Sequence, residues 1–353
     1  MRKMRLRIDE LLVKCDVRNR TILLRNGGFC MGRRIKSSRR ETKSIAATRK
    51  VAAGPATATP PAWPSYQGTS QLVGTSPSGR VTVYVDPTLG QSGLQNAQDL
   101  LNDADRVAMA NDSIFGTTGG PVSVIVYALG GATDGTGGAD HLGCDYVNGA
   151  AIEVDAAFGN SARVSALFEA ELSECSMNGN LCGESTGEAL SRCCAAAVGN
   201  NALSDFATAP TWQQDGMADW VDQTEDTDQD ADSTGCGMAF LSWLTSKGYG
   251  LEKIAPAMVS LGDSGTLAQL YGNLTGDNPA NAFPNFQSAV QALPGPINSD
   301  DPFNGLAQPL QTARVLPAQV ELAHSLPLAA AVCQPKSKRL LPPRSTALRS
   351  KTA

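Results

Sequence analysis

The sequence predicts an α+β fold, in which a small N-terminal sheet with one helix precedes a mainly helical second half. Segments that alternate between apolar and polar residues, as strands do, are confined to the first half of the chain. From residue 163 onward the apolar residues recur at helical spacing instead. Because strands and helices are segregated along the chain, α+β is favoured over a fold of alternating strands and helices.

Each element follows from its local pattern. Strands are predicted at 80–86, 121–129 and 150–158, and a helix at 93–112. The later helices are predicted at 163–177, 186–198, 235–247, 251–261, 265–274 and 282–292. We expect Ser185 to cap the second of these helices, and Ser233 or Thr234 to cap the third, because their hydroxyl groups can accept from free amides of the first turn.

Composition divides the chain into four parts. Residues 76–295 carry the periodic pattern and are predicted to form one globular domain. Residues 52–75 are rich in Pro, Ala and Thr, which is typical of a linker. Residues 1–51 are predicted to be a disordered basic extension, and residues 296–353 a disordered, Pro-rich basic tail.

Charge is distributed unevenly and argues against a nucleic-acid partner for the domain. Residues 1–50 contain 16 Lys and Arg against 4 Asp and Glu, whereas residues 51–303 contain 6 against 29. Residues 304–353 contain 7 against 1. An acidic domain repels phosphate, so no nucleic acid is expected there, and the basic ends are expected to be solvated tails.

Neither a membrane span nor a secretory signal is predicted. No run of about 18 apolar residues occurs, which excludes a transmembrane helix by the usual length criterion. The N-terminal segment is basic but lacks the apolar core of a signal peptide. We therefore expect a cytoplasmic protein, or a secreted one whose start is assigned too far upstream.

One carboxylate interrupts the apolar stripe of the 163–177 helix. The stripe consists of Val164, Leu167, Phe168, Leu172 and Cys175. Glu171 occupies the remaining position of that stripe, where desolvation of its charge is costly unless the group is paired, protonated or bound to a cation. Glu169 is predicted to face solvent on the opposite side.

The residues around Glu171 resemble a zinc-peptidase helix from which both histidines have been replaced. In the HExxH motif, ligands at i and i+4 share one helix face and the Glu between them activates a metal-bound water. Here the five residues at 170–174 are Ala, Glu, Leu, Ser and Glu. A strand, a helix and two further strands precede the helical segment FEAELSE, which is followed by GEALSR. This order of elements resembles the zincin (metallopeptidase-like) fold. Residues 78–294 also resemble a group of uncharacterised bacterial proteins with such a domain.

The zincin resemblance implies zinc-dependent peptide hydrolysis with Glu171 as the general base. Because Ala170 and Glu174 replace the histidine ligands, we expect no peptidase activity and no zinc. We expect a binding or structural module. The alternative is a carboxylate- or metal-dependent hydrolase that uses Glu171, with a divalent metal held by Glu174 and Glu188. An all-carboxylate site favours Ca²⁺, Mg²⁺ or Mn²⁺.

Each of these acids also has a purely structural interpretation. Glu171 could be a buried acid that pairs with Arg163, Arg192 or a backbone amide. Glu188 fits a capping box with Ser185 and an i,i+4 pair with Arg192. For both acids the structural interpretation is the stronger one.

Two further patterns are candidates for metal binding. His141 is the only histidine in residues 76–295, and Asp140 and Cys144 near it permit a metal site or a Cys/His nucleophile, although the pattern favours an ordinary loop histidine. The alternating aspartates at 226–232 permit a cation site or a solvated loop before a helix. The six cysteines of the domain permit disulfides in an oxidising compartment.

Overall fold

The computed structural model describes residues 60–147 and 151–306, and these form a mixed α+β fold. All strands lie before residue 156, and most helices follow it. The predicted α+β class is therefore confirmed. Within the described residues, no helix combines the length and the apolar character that a bilayer crossing requires.

Five strands form one sheet in the order β1-β2-β3-β5-β4. The strands are β1 Gln71–Thr75, β2 Val81–Val85, β3 Val122–Tyr127, β4 Ala139–His141 and β5 Ala151–Asp155. Strands β2, β3 and β5 are parallel, whereas β1 and β4 pair antiparallel with β2 and β5 and form the two edges. The three parallel strands are the three that the sequence predicts.

Eight α-helices are present in the described part of the chain. They are α1 Gly90–Phe115, α2 Ser161–Ser176, α3 Ser185–Val198, α4 Ala209–Gln214, α5 Ala231–Ser246, α6 Leu251–Leu261, α7 Leu267–Thr275 and α8 Ala282–Gln291. All seven predicted helices agree with these bounds to within about four residues. The short helix α4 was not predicted because its six residues are too few to show a period.

Helix α2 lies at the centre of the molecule. It packs against α1 on one side, α3 on another, and strands β4 and β5. Every residue from Arg163 to Cys175 is buried as a result. The prediction that Glu169 faces solvent is wrong for this reason: the side chain is fully buried and accepts hydrogen bonds from Asn111 Nδ2 at 3.2 Å and Ser173 Oγ at 3.3 Å.

The domain extends beyond its predicted limits at both ends. Residues 71–75, which were assigned to the linker, form strand β1. Ahead of them, Ser65 and Tyr66 donate their backbone amides to the carboxylate of Glu153 on β5, at 2.6 to 3.0 Å. A buried carboxylate needs such donors, and it therefore attaches this segment to the sheet.

At the other end, part of the predicted tail is packed against the helices. Asp301 is buried, and its carboxylate accepts from the Ser242 hydroxyl at 2.5 Å and from the amide of Gly305 at 2.8 Å. Residues 297–306 therefore belong to the domain. The predicted extension at 1–51 and the tail beyond residue 306 lie outside the described residues.

The predicted helix caps are wrong in both cases. Helix α5 begins earlier than predicted, because Asp230 accepts from the amides of Asp232 and Ser233 and acts as the N-cap. Helix α3 has Glu184 as its N-cap residue, and no side chain caps it. The hydroxyl of Ser185 instead accepts from the Glu225 amide at 3.1 Å, so the capping box with Glu188 does not form.

Candidate functional site

Strand β4 and helix α2 bring a histidine and a glutamate into direct contact. His141 Nε2 lies 2.9 Å from Glu174 Oε2, and its Nδ1 lies 2.9 Å from the carbonyl oxygen of Gly143. Burial alone lowers the pKa of His141, but the hydrogen bond and charge of Glu174 outweigh it and raise the pKa to about 10. The imidazole is therefore a cation at neutral pH, and it is not an ordinary loop histidine.

Glu171 lies beside this pair and is fully buried. Its Oε2 is 4.0 Å from His141 Nε2, and among the described residues neither carboxylate oxygen has a hydrogen-bond partner. Burial, with the neighbouring charge of Glu174, raises the pKa of Glu171 well above its usual range. Buried polar atoms are nearly always hydrogen-bonded in folded proteins, so this carboxylate is an exception that requires a specific explanation.

Helix α3 adds a third carboxylate to the same region. Glu188 is 2% exposed, and both of its oxygens lack a hydrogen-bond partner within the described chain. Its nearest cation is Arg192 Nη1, at 3.9 Å. Burial raises the pKa of Glu188, as do the charges of Glu174 and Asp228. The predicted i,i+4 pair with Arg192 is present, but it is buried and not at the surface.

The positions of these acids follow from the helix geometry. Glu171 and Glu174 are three residues apart on α2, so they lie on adjacent positions of one face. The chain then reverses through residues 177–184, where Asn178 and Leu181 have positive φ. This reversal sets α3 beside α2, and Glu188 in the first turn of α3 is near enough for its charge and those of the α2 carboxylates to affect one another's pKa.

A disulfide borders the histidine. Cys144 and Cys182 are bonded, and Cys182 Sγ lies 3.9 Å from His141 Nε2. Residue 144 follows β4 and residue 182 follows α2, so the bond joins the edge of the sheet to the reversal after the helix. Because Cys144 is bonded in this way, it is not a free nucleophile for the Cys/His site considered from the sequence.

The arginines that could have neutralised Glu171 are engaged elsewhere. Arg163 makes a two-pronged ion pair with Asp205, at 2.5 and 2.7 Å. Arg192 donates to Asp300 at 3.0 Å. The interpretation of Glu171 as an acid satisfied by one of these arginines is therefore not supported by the contacts.

Sequence reasoning missed the contact of His141 with Glu174 and the nearness of Asp228 to Glu174. The pKa of Asp228 is raised by burial, and the charge of Glu174 contributes to that shift. The aspartate run at 226–232 thus supplies one acid near Glu174, which is Asp228, and the cap of α5, which is Asp230. Sequence spacing could not pair His141 with Glu174, because 33 residues separate them.

The side chains in this region are of donor types that bind divalent cations. His141, Glu171, Glu174 and Glu188, which we call the His–Glu cluster, supply one imidazole and three carboxylates. A bound ion would also provide a partner for the carboxylate oxygens of Glu171 and Glu188, because a buried carboxylate can be satisfied by a metal. His141 and Glu174 are 9% and 5% exposed, respectively, so the cluster has solvent contact on that side.

Comparisons with known proteins do not assign the chain to a family. No protein-family model matches it, and no curated protein matches it.

Proposed function

We propose that this domain is a non-peptidase, zincin-like binding module that holds a divalent cation at the His–Glu cluster. The observation that carries the proposal is Glu171, whose two carboxylate oxygens are fully buried without a hydrogen-bond partner in the described chain. An uncompensated buried carboxylate costs several kcal/mol, on the order of the penalty for breaking a buried ion pair. A bound cation offsets that cost.

The zincin-like part of the proposal is supported by the order of elements. Strand β2, helix α1, strands β3 and β5, and then α2 with Glu171 follow the order on which the resemblance rests. Strands β1 and β4 are additional to it. The HExxH positions on α2 are still Ala170 and Glu174, so the helix itself offers two carboxylates and no imidazole.

His141 changes the metal that we expect. The sequence pointed to an all-carboxylate site, and hence to Ca²⁺, Mg²⁺ or Mn²⁺. With an imidazole from β4 in contact with Glu174, the donors become nitrogen and oxygen, which suit Mn²⁺, Fe²⁺ or Zn²⁺ better. We therefore propose a transition-metal ion over Ca²⁺ or Mg²⁺.

A second candidate function is a hydrolase that uses Glu171 as a general base. It is favoured by the burial of Glu171, which raises the pKa of this carboxyl well above its usual range and makes its carboxylate a stronger base. This function needs the same metal to activate water.

The test is metal binding by the full chain with its disulfide intact. The metal-free protein is titrated with Mn²⁺ and with Zn²⁺ by calorimetry, and the same samples are assayed for hydrolysis of a mixed peptide library. We expect one equivalent of ion to bind, and Glu171→Gln to weaken binding by on the order of 10- to 100-fold, as removal of a carboxylate near a metal typically does. We expect no peptide hydrolysis.

The control is Glu252→Gln, which neutralises an exposed glutamate on α6. It should bind the ion as the wild type does. Absence of binding in the wild type, or equal binding by Glu171→Gln, would contradict the proposal. Hydrolysis that is lost in Glu171→Gln and kept in Glu252→Gln would establish the hydrolase instead.

A further inference from the structure

We infer that Cys144 and Cys182 are alternative ligands of the same centre, so that reduction of their disulfide creates a thiolate–imidazole metal site. His141, Cys144 and Cys182 place one ligand atom each within 4.8 Å of one another. In the described residues, no other group of three such side chains is this closely arranged. The inference deepens the proposed function and shares His141 and Glu174 with it.

The distances around His141 fit a shared tetrahedral ion. A zinc ion with bonds of about 2.0–2.1 Å to nitrogen and 2.3 Å to sulfur holds these two atoms about 3.6 Å apart. Cys182 Sγ is 3.9 Å from His141 Nε2, which is within a few tenths of an ångström of that value. Glu174 Oε2, at 2.9 Å from the same nitrogen, is placed to be the fourth ligand.

The two sulfurs must move apart, and Glu174 Oε2 must move from 2.9 Å to about 3.4 Å from His141 Nε2, the spacing of nitrogen and oxygen ligands on one tetrahedral zinc. Bonded sulfurs are about 2.0 Å apart in any disulfide, and two sulfurs on one tetrahedral zinc are about 3.8 Å apart, given Zn–S bonds of about 2.3 Å. The chain after β4 can provide this displacement, because Leu142 and Val147 in it are 50% and 88% exposed. The backbone positions of His141 and Glu174, on β4 and α2, need not change.

The chemistry balances with a dithiol reductant. One thiolate of the dithiol attacks a sulfur of the disulfide, the S–S bond breaks, and a mixed disulfide forms. The second thiol of the reductant displaces the protein sulfur and leaves as a cyclic disulfide. The protein gains two electrons and two protons as two thiols. Metal binding then releases those two protons and the Nε2 proton of His141 to solvent, because the ligands are two thiolates and a neutral imidazole.

The consequence is a site whose metal preference depends on redox state. With the disulfide intact, the centre offers imidazole and carboxylate donors. With the disulfide reduced, it offers two thiolates, one imidazole and one carboxylate, which is a donor set that favours Zn²⁺. Oxidation would release the zinc, since a disulfide sulfur is not a thiolate ligand.

The experiment compares the oxidised and reduced full-length protein. Cys15, Cys30 and Cys333, which lie outside the described residues, are replaced by Ser in every sample so that they cannot bind metal. Zn²⁺ affinity is measured by competition with a chromophoric chelator, before and after treatment with a phosphine reductant. Co²⁺ serves as the spectroscopic probe, because a thiolate-to-cobalt charge-transfer band appears only if sulfur is a ligand.

We expect the reduced protein to bind one equivalent of Zn²⁺ on the order of 100-fold more tightly than the oxidised protein, because thiolates are the stronger zinc ligands. The cobalt band should appear only after reduction. Cys144→Ser/Cys182→Ser should bind Zn²⁺ as the oxidised protein does and show no band. Cys236→Ala, which removes a buried free thiol elsewhere, should behave as the parent protein.

Three results would overturn the inference: no gain in Zn²⁺ affinity on reduction, no cobalt band, or a band that survives Cys144→Ser/Cys182→Ser. Circular dichroism follows the fold, and unfolding on reduction that Zn²⁺ does not reverse also counts against it. The outcome is separable from that of the proposed function. The proposed function is contradicted if the oxidised protein binds no ion. The inference of a thiolate site is contradicted if the reduced protein shows no sulfur ligation.

Discussion

Glu171 is the single residue that most strongly indicates a functional site. Its side chain is fully buried, His141 Nε2 is 4.0 Å away, and no described residue donates a hydrogen bond to it. The apolar stripe of α2 already marked this position in the sequence, because a carboxylate there had to be desolvated. Its partner could not be identified in the same way, since His141 is on a different element.

The residue-scale prediction concerns the stability of the metal-free protein. Glu171→Gln keeps the shape of the side chain and makes it neutral at every pH. We expect it to raise the free energy of unfolding at neutral pH by about 1–3 kcal/mol, because Glu171 must take up a proton on folding whereas Gln need not. Urea denaturation in the presence of a chelator measures the change.

The exposed counterpart, Glu252→Gln, should change stability by no more than about 0.5 kcal/mol. If Glu171→Gln is instead destabilising by more than about 1 kcal/mol, the carboxylate makes a stabilising contact in the metal-free fold. In that case, its role is structural.

At the scale of elements, the reversal between α2 and α3 positions Glu188. Gly187 is in the first turn of α3, and a Cβ atom there would lie 2.0 Å from the carbonyl oxygen of Leu181. A backbone carbonyl oxygen cannot move aside in the way that the end of a flexible side chain can. The close approach of these two segments therefore depends on the absence of a side chain at residue 187.

The element-scale prediction is that Gly187→Ala destabilises the domain by about 1–3 kcal/mol, as overpacking typically does. It should also weaken binding of Mn²⁺ at the His–Glu cluster, because α3 must shift and Glu188 moves with it. Denaturation and calorimetry on the same sample measure both effects. Gly295→Ala is the matched control, because a Cβ atom there meets nothing within 4 Å. Equal stability of the two variants would show that the reversal tolerates a side chain.

For the whole molecule, the buried acids predict that stability falls as pH rises. Burial raises the pKa of Asp155 to about 6 and that of Glu169 to about 8. Burial also raises the pKa values of Glu171 and Glu188. Each folded-state pKa lies above the unfolded value near 4, so the folded protein retains protons that the unfolded chain has lost. His141, with its pKa raised to about 10, acts in the same direction above pH 6.5.

We therefore expect the free energy of unfolding of the metal-free protein to be highest near pH 4–5 and to decrease up to about pH 8. Thermal denaturation across that range measures it. Glu169→Gln should flatten part of the decrease between pH 5 and 8, because the variant has no proton to retain there. A wild-type stability that is constant or rises over this range would contradict the expectation.

The α+β class, the existence of strands β2, β3 and β5, the helices other than α4 and the unusual position of Glu171 could all be predicted from the amino-acid sequence. These are local properties, because period and burial cost are set by residues within one element. Tertiary packing was needed to establish that the three strands are parallel, that Glu169 is buried, that Ser185 holds a loop instead of capping α3, and that His141 contacts Glu174 beside the disulfide. Those outcomes depend on which elements pack together. The hydrophobic period of a helix shows which of its faces is apolar. It does not show which strand residue will contact that helix, and His141 is 33 residues away from Glu174 in the sequence.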